Sequence, residues 1–214
     1  MREIDLRTWR RRQHFELFST FDHPHFSICA NLELTAFHQH VRNSGVSFTV
    51  AFVYVITRAA NEIAEFRQRI RAGRVVEHDM VSPSLTILVD DDLFSFCTIP
   101  YCESFADFAD RATAMIAHVK EHPTLEDEPG RDDLLFMTAL PWVSFTSVMH
   151  PMQLHPADSI PRFAGGKFFQ EGQGFKIPLS VQGHHALMDG IHMARFYARV
   201  EDYLQHPEVL ANTR

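Results

Sequence analysis

Apolar and polar residues alternate over residues 26–34, and again from Phe175 to the His184-His185 pair, with the period of strands buried on one face. Shorter runs at 85–89, 93–97, 134–140 and 143–148 read as further strands, the last two broken at Pro141. Residues 66–70 and 75–78 flank Arg71-Ala72-Gly73 as a hairpin. Residues 163–169 bracket Gly165-Gly166, and 172–174 turn the chain into the last strand. Helical spacing is expected over 9–18 behind a Thr8 cap, with Trp9, Gln13 and Leu17 on one side and Arg11, Phe15 and Phe18 on another. A second helix runs from Thr35 to Asn43-Ser44-Gly45. A third, opened by Ser47 or Thr49 and ending near Ile63, is apolar on most sides and so belongs in the core. Ser104 caps a fourth over 105–121, stopped by His122-Pro123 before an acidic loop that reaches Asp133. Residues 149–158 read as irregular. A last helix starts at Gly190 with Met193, Phe196, Val200 and Leu204 as its buried stripe. The uneven interleaving points to an α+β fold, a two-layer sandwich with a mixed β-sheet covered by helices, in one domain spanning 1–214.

Composition narrows the function. The 214 residues are 45% hydrophobic and 22% charged, which suits a globular chain with a sizeable core. A net charge of −7 argues against nucleic acid, and the basic run Arg10-Arg11-Arg12 reads as a solvated helix face. The N-terminus has no apolar secretory core, and the longest apolar run, 50–56, is far short of the roughly 20 residues of a membrane span. A cytoplasmic protein without a membrane segment is expected. Cys29, Cys97 and Cys102 form no CxxC pair and read as buried free thiols. Asp90-Asp91-Asp92 reads as a polar turn rather than a metal site. Nineteen phenylalanines against four tyrosines suit a core, and also a pocket for an apolar ligand.

Candidate chemistry gathers where the last strand meets the last helix, at His184, His185 and Asp189. Imidazole titrates near neutrality and can take a proton from a hydroxyl or thiol. Strand parity, if it holds to the end, groups His185 with the apolar set and His184 with the polar set. On pattern alone His185 also fits a satisfied core histidine, and Asp189 a helix N-cap. His185, Asp189 and His192 are spaced i, i+4, i+7, which groups metal ligands only if all three share one helix, and the preceding strand argues against that. No G-x-S-x-G elbow is present.

His184-His185-Ala186-Leu187-Met188-Asp189-Gly190 resembles the HHxxxDG signature of CoA-dependent acyltransferases. Ile177-Pro178-Leu179-Ser180-Val181-Gln182 before it and Ile191-His192-Met193-Ala194-Arg195-Phe196 after it resemble the chloramphenicol acetyltransferase family. So do the segments 9–16 (WRRRQHFE), 139–147 (ALPWVSFTS) and Gln170-Glu171-Gly172, collinear over nearly the whole chain.

The resemblance implies that family's fold and an acetyl-CoA-dependent O-acetyl transfer to the primary (3-)hydroxyl of chloramphenicol, conferring resistance. His185 would be the general base and Ser147 the oxyanion donor; Asp189 and Arg11 would pair to hold the site. Phe18, Phe26, Phe94, Phe136 and Ser144 would bind the acceptor, and Lys167 and Phe168 the CoA. Acetyl-CoA would be the co-substrate, with no metal or prosthetic group. The family implies a homotrimer with active sites between subunits.

Ser144 stands where the family often has asparagine, Phe18 and Phe168 replace tyrosines, and Phe163-Ala164-Gly165-Gly166 lacks a family threonine. These departures touch the pockets and spare the base, the serine and the pair. Two other readings compete: the same fold acting on a different hydroxyl or amine, and a non-catalytic trimeric binder of a hydrophobic small molecule. The acyltransferase core of 2-oxo acid dehydrogenase complexes shares the signature but normally carries lipoyl and linker regions, which this sequence lacks.

Overall fold

The computed structural model describes residues 1–90, 92–126 and 128–211. In chain order the elements are β1 (Arg2–Glu3), α1 (Arg12–Phe18), β2 (His25–Glu33), α2 (Thr35–Ser44), α3 (Phe48–Asn61), β3 (Gln68–Arg71), β4 (Arg74–Glu77), β5 (Ser82–Leu88), β6 (Phe94–Thr98), α4 (Phe105–Glu121), β7 (Leu134–Leu140), β8 (Arg162–Gly166), β9 (Phe169–Glu171), β10 (Gly174–His184) and α5 (Gly190–Gln205). Short 3-10 turns lie at Ala64–Arg67 and Pro207–Leu210.

The main sheet runs β2-β10-β8-β7-β5-β6, with β9 added to β10. β7 is parallel to both β5 and β8 and the other pairs are antiparallel, so the sheet is mixed, as the sequence indicated. The small sheet β1-β4-β3 stands apart.

The two most regular alternating stretches pair with each other. Phe26, Ile28, Ala30 and Leu32 of β2 stand opposite Gly183, Val181, Leu179 and Ile177 of β10, and this face packs on the helices. α3 fills the middle of the core, with ten of its fourteen residues buried. Fully buried side chains such as Phe37, Phe66 and Leu135 contribute roughly 1.5–3 kcal/mol each. Local signals set the helix ends: Gly45 at φ 71° closes α2, and the Ser47 and Ser104 hydroxyls accept the Val50 and Asp107 N–H groups to open α3 and α4. None of the described helices is long and apolar enough to cross a membrane.

Among the described residues, no helix packs on the second face of the sheet. Thr98, Ser84, Phe136, Arg162, Gln182 and Ser27 form one row across it, and segment 149–161 lies over part of it through Met152 and Asp158.

Three sequence expectations fail. The first helix is shorter than 9–18: Arg11 is its N-cap, and Thr8 instead donates to the Asp5 carbonyl in a preceding turn. Residues 143–148 are not a strand, because β7 ends at Leu140 and a turn through Pro141 follows; the segment's link to β8 is a Lys167 N–H bond to the Val143 carbonyl. The hairpin arm begins at Gln68, since residues 64–67 coil into a 3-10 turn, and its tight turn places Ala72 and Gly73 at positive φ. Of the three free cysteines, Cys97 is buried whereas Cys29 and Cys102 are half-buried. The expected turn at Asp90–Asp92 includes Asp91, which lies outside the described residues.

Candidate active site

β10 ends at His184 and α5 begins at Gly190, yet the His185 N–H still bonds the Pro24 carbonyl in line with the β2–β10 register, and its ring meets Phe26 on the side that strand parity assigned to it. Leu187 and Met188 both donate backbone N–H groups to the His184 carbonyl. Gly183 lets this turn fold back, because a Cβ there would stand 2.3 Å from Met188 Sδ.

Arg11 binds the turn from outside. Its guanidinium donates to both carboxylate oxygens of Asp189, at 2.6 Å from Nη2 to Oδ1 and a short contact from Nη1 to Oδ2. It also donates to the carbonyls of His185 at 2.7 Å and Ala186 at 3.0 Å. The fork geometry of arginine suits this task. The Arg11 hydrogen bonds hold the Asp189 carboxyl below its ordinary pKa. Asp189 is also the N-cap of α5.

The two histidines have different surroundings. His184 is buried, its Nδ1 accepts the Ala186 N–H, and burial followed by neighbouring His25 pushes its pKa down to about 4. His185 lies between two phenyl rings, stacked on Phe18 at 4.0 Å and tilted on Phe26 at 4.4 Å. Its side chain is 33% exposed. Nδ1 is buried and lies 3.1 Å from Asp189 Oδ1, close but not aligned for a hydrogen bond. The open edge of the ring is therefore the one that carries Nε2.

A second feature lies between α3 and the sheet, an apolar cavity of about 240 Å³. Phe48, Phe52 and Ile56 of α3 form one wall and Met137 and Gly165 another, with Pro141, Lys167 and Phe168 at its rim. Phe168 packs against His38, Phe48 and Phe175. Beside it Phe145 lies on Gly166, where a Cβ would meet the Phe145 ring at 2.8 Å.

Sequence comparison completes the picture. The family model described as chloramphenicol acetyltransferase matches residues 1–201. The chain belongs to the chloramphenicol acetyltransferase family. It is 31% identical over 201 residues to a Proteus mirabilis chloramphenicol acetyltransferase, covering 94% of this chain and 93% of the relative. It is 33% identical over 196 residues to an Escherichia coli chloramphenicol acetyltransferase 2, covering 90% and 92%. A solved chloramphenicol acetyltransferase structure superposes with a TM-score of 0.86 at 29% identity, covering 95% of this chain and all of that one.

Among the residues that the resemblance to chloramphenicol acetyltransferases singled out, the structure brings His185, Asp189, Arg11, Phe18 and Phe26 together. Lys167 and Phe168 sit at the cavity rim, with Ser144 and Ser147 exposed on the adjoining segment. Phe136 and Phe94 lie on the helix-free face, Phe94 on edge strand β6 with three strands between it and β10. Gly166 pairs near Pro178, six residues before His184 on β10, a separation of about 20 Å at strand rise. Ser147 follows two residues after Phe145, whose ring lies on Gly166.

Sequence reasoning missed the cavity wall on α3, because a helix apolar on most sides reads as core. It weighed His192 only as a metal ligand. α5 begins after Asp189, and among the described residues no His/Cys/Asp/Glu group could hold a metal ion.

Proposed function

We propose that this chain is an acetyl-CoA-dependent O-acetyltransferase acting on the primary (3-)hydroxyl of chloramphenicol, a cytoplasmic resistance enzyme made of one acyltransferase domain. The observation that carries the reading is His185, clamped through its own carbonyl and Asp189 by Arg11 with its Nε2 edge open.

An alcohol does not lose its proton at neutral pH without a base. His185 Nε2 takes that proton while the acceptor oxygen attacks the thioester carbonyl carbon. The proton already on the ring then sits on Nδ1, beside the Asp189 carboxylate, which stabilises the imidazolium. The Ser147 hydroxyl donates to the oxyanion of the tetrahedral intermediate. Collapse breaks the C–S bond, and the imidazolium returns its proton to the departing thiolate, releasing CoA and the O-acetyl product. The apolar cavity receives the pantetheine arm, with Phe168 at its mouth and Lys167 toward the phosphates. Asp189 orients and takes no proton.

In this reading the working site joins His185 of one copy to Ser147, Ser144, Phe136 and Phe94 of another. A homotrimer closes such head-to-tail contacts. Exposed Trp142, Val143 and Met149 beside Ser147 supply apolar surface for that contact.

The test is thiol release from acetyl-CoA in the presence of chloramphenicol. Fast release that His185→Ala abolishes is expected. Release only with other alcohols or amines would move the acceptor, and tight drug binding without release would leave a binding protein.

A further inference from the structure

The turn that carries His185 is held from a second side. The Asp189 backbone N–H, one of the orphan donors at the start of α5, points at His192 Nδ1 at 2.9 Å. A backbone N–H can only donate, so Nδ1 is unprotonated and the ring proton sits on Nε2. Nε2 faces Glu65 Oε1 at 3.3 Å, on the 3-10 turn between α3 and β3. His192 occupies N3 of α5, the position from which a glutamate or glutamine reaches back in a capping box.

We propose that His192 and Glu65 are positioning residues for His185: Glu65 sets the tautomer of His192, and His192 fixes the Asp189 backbone as Arg11 fixes its side chain. The inference rests on His185 being the base. Asp189 is tied at both ends, so the four residues from His185 to Met188 hang between a fixed strand end and a fixed helix start. A protonated His192 would have no lone pair at Nδ1 and would add a cation near Arg11 and Arg195, with Glu65 and Asp189 as the facing carboxylates. Burial lowers its pKa and keeps it neutral.

His192→Leu removes the acceptor, whereas His192→Gln keeps one at the same capping position. We expect His192→Leu to lower kcat by roughly 10- to 100-fold with both KM values little changed, and His192→Gln to restore most of it. Deuterium exchange of the 184–190 peptide, measured without substrate, should speed up in His192→Leu and stay near wild type in His192→Gln. That readout stands even if chloramphenicol proves not to be the acceptor. Equal loss in both variants would overturn the proposal in favour of simple packing, as would unchanged exchange and kcat in His192→Leu. Should His192→Leu fail to fold, the partly exposed Glu65 carries the test. Glu65→Ala should lower kcat and speed the same exchange, and Glu65→Gln, which keeps an acceptor oxygen facing Nε2, should not. A wild-type Glu65→Ala overturns the proposal.

Discussion

Replacing Arg11 with alanine tests how the site is held. The guanidinium is 11% exposed and makes four contacts, two to Asp189 and one each to the His185 and Ala186 carbonyls. Its loss leaves a carboxylate and two carbonyls without donors. Breaking a buried ion pair by removing one partner costs about 3–5 kcal/mol. Asp189 is 30% exposed, so water recovers part of this and about 2–4 kcal/mol remains. For a chain of this size that is a fall in Tm of roughly 6–12 °C. The released turn should let the His185 ring wander, and a displacement near 1 Å costs kcat about 100-fold. Asp189→Asn, which keeps one carbonyl acceptor, should lose less, and the double variant should fall well short of the sum. Thermal melts at equal protein concentration and steady-state thiol release supply both numbers. An Arg11→Ala protein with wild-type Tm and kcat, or strictly additive losses, would refute the clamp.

Coexpressed His185→Ala and Ser147→Ala chains, each inactive alone, should regain activity in mixed oligomers, with roughly one site in three intact in each mixed trimer. No recovery in purified mixed oligomers would place both groups in one subunit. Folding stability should fall between pH 6.5 and about 4, because the unfolded chain protonates His184 near 6.5 and the folded one only near 4. That stability is complete above pH 6.5 and amounts to about 3 kcal/mol; denaturant midpoints against pH should show a correspondingly smaller fall in a His184→Gln protein, where His25, His150 and His192, whose pKa values burial also lowers, still contribute. Gly166→Ala sets a methyl 2.6 Å from Pro178 and 2.8 Å from Phe145, so it should cost about 1–3 kcal/mol and lower kcat by displacing the Ser147 segment. A melt and an assay unchanged from wild type would count against that placement.

Much of the fold was legible because the burial pattern had one cause. β2 and β10 alternate since one face packs on helices and the other does not, and caps at Ser47, Gly45 and Ser104 depend on neighbours within a few residues. The failures arise where long-range partners decide. Residues 143–148 have the β-propensity of a strand, but among the described residues they form no ladder beyond the Lys167 bond to Val143. Trp9 and Arg10 have helical spacing, yet the Asp5 carbonyl captures the Thr8 and Trp9 N–H groups first. Arg69 would pass for an exposed strand residue, but it is fully buried and donates to the carbonyls of Phe66, Gln68, Asp132 and Leu134. The Arg11–Asp189 pair spans most of the chain, and no local pattern reveals it. Resemblance to a family named it, and the two side chains are hydrogen-bonded in the structure.

The histidine pair shows why legibility and cause differ. Alternation assigned His185 to the apolar face; the strand ends one residue earlier, but the His185 N–H still bonds the Pro24 carbonyl and its ring meets Phe26 of that face. In the proposed mechanism His184 is the poorer base: its Nδ1 lone pair is committed to the Ala186 N–H, and burial lowers its pKa to about 4. His185 keeps an open Nε2 edge because Phe18 and Phe26 cover only its faces, while Arg11 takes its carbonyl rather than its ring. A turn held by its backbone leaves the side chain free to exchange a proton. In the proposed trimer the same turn, about 20 Å along β10 from the strand position beside the cavity rim, would find the rest of its site on a second copy.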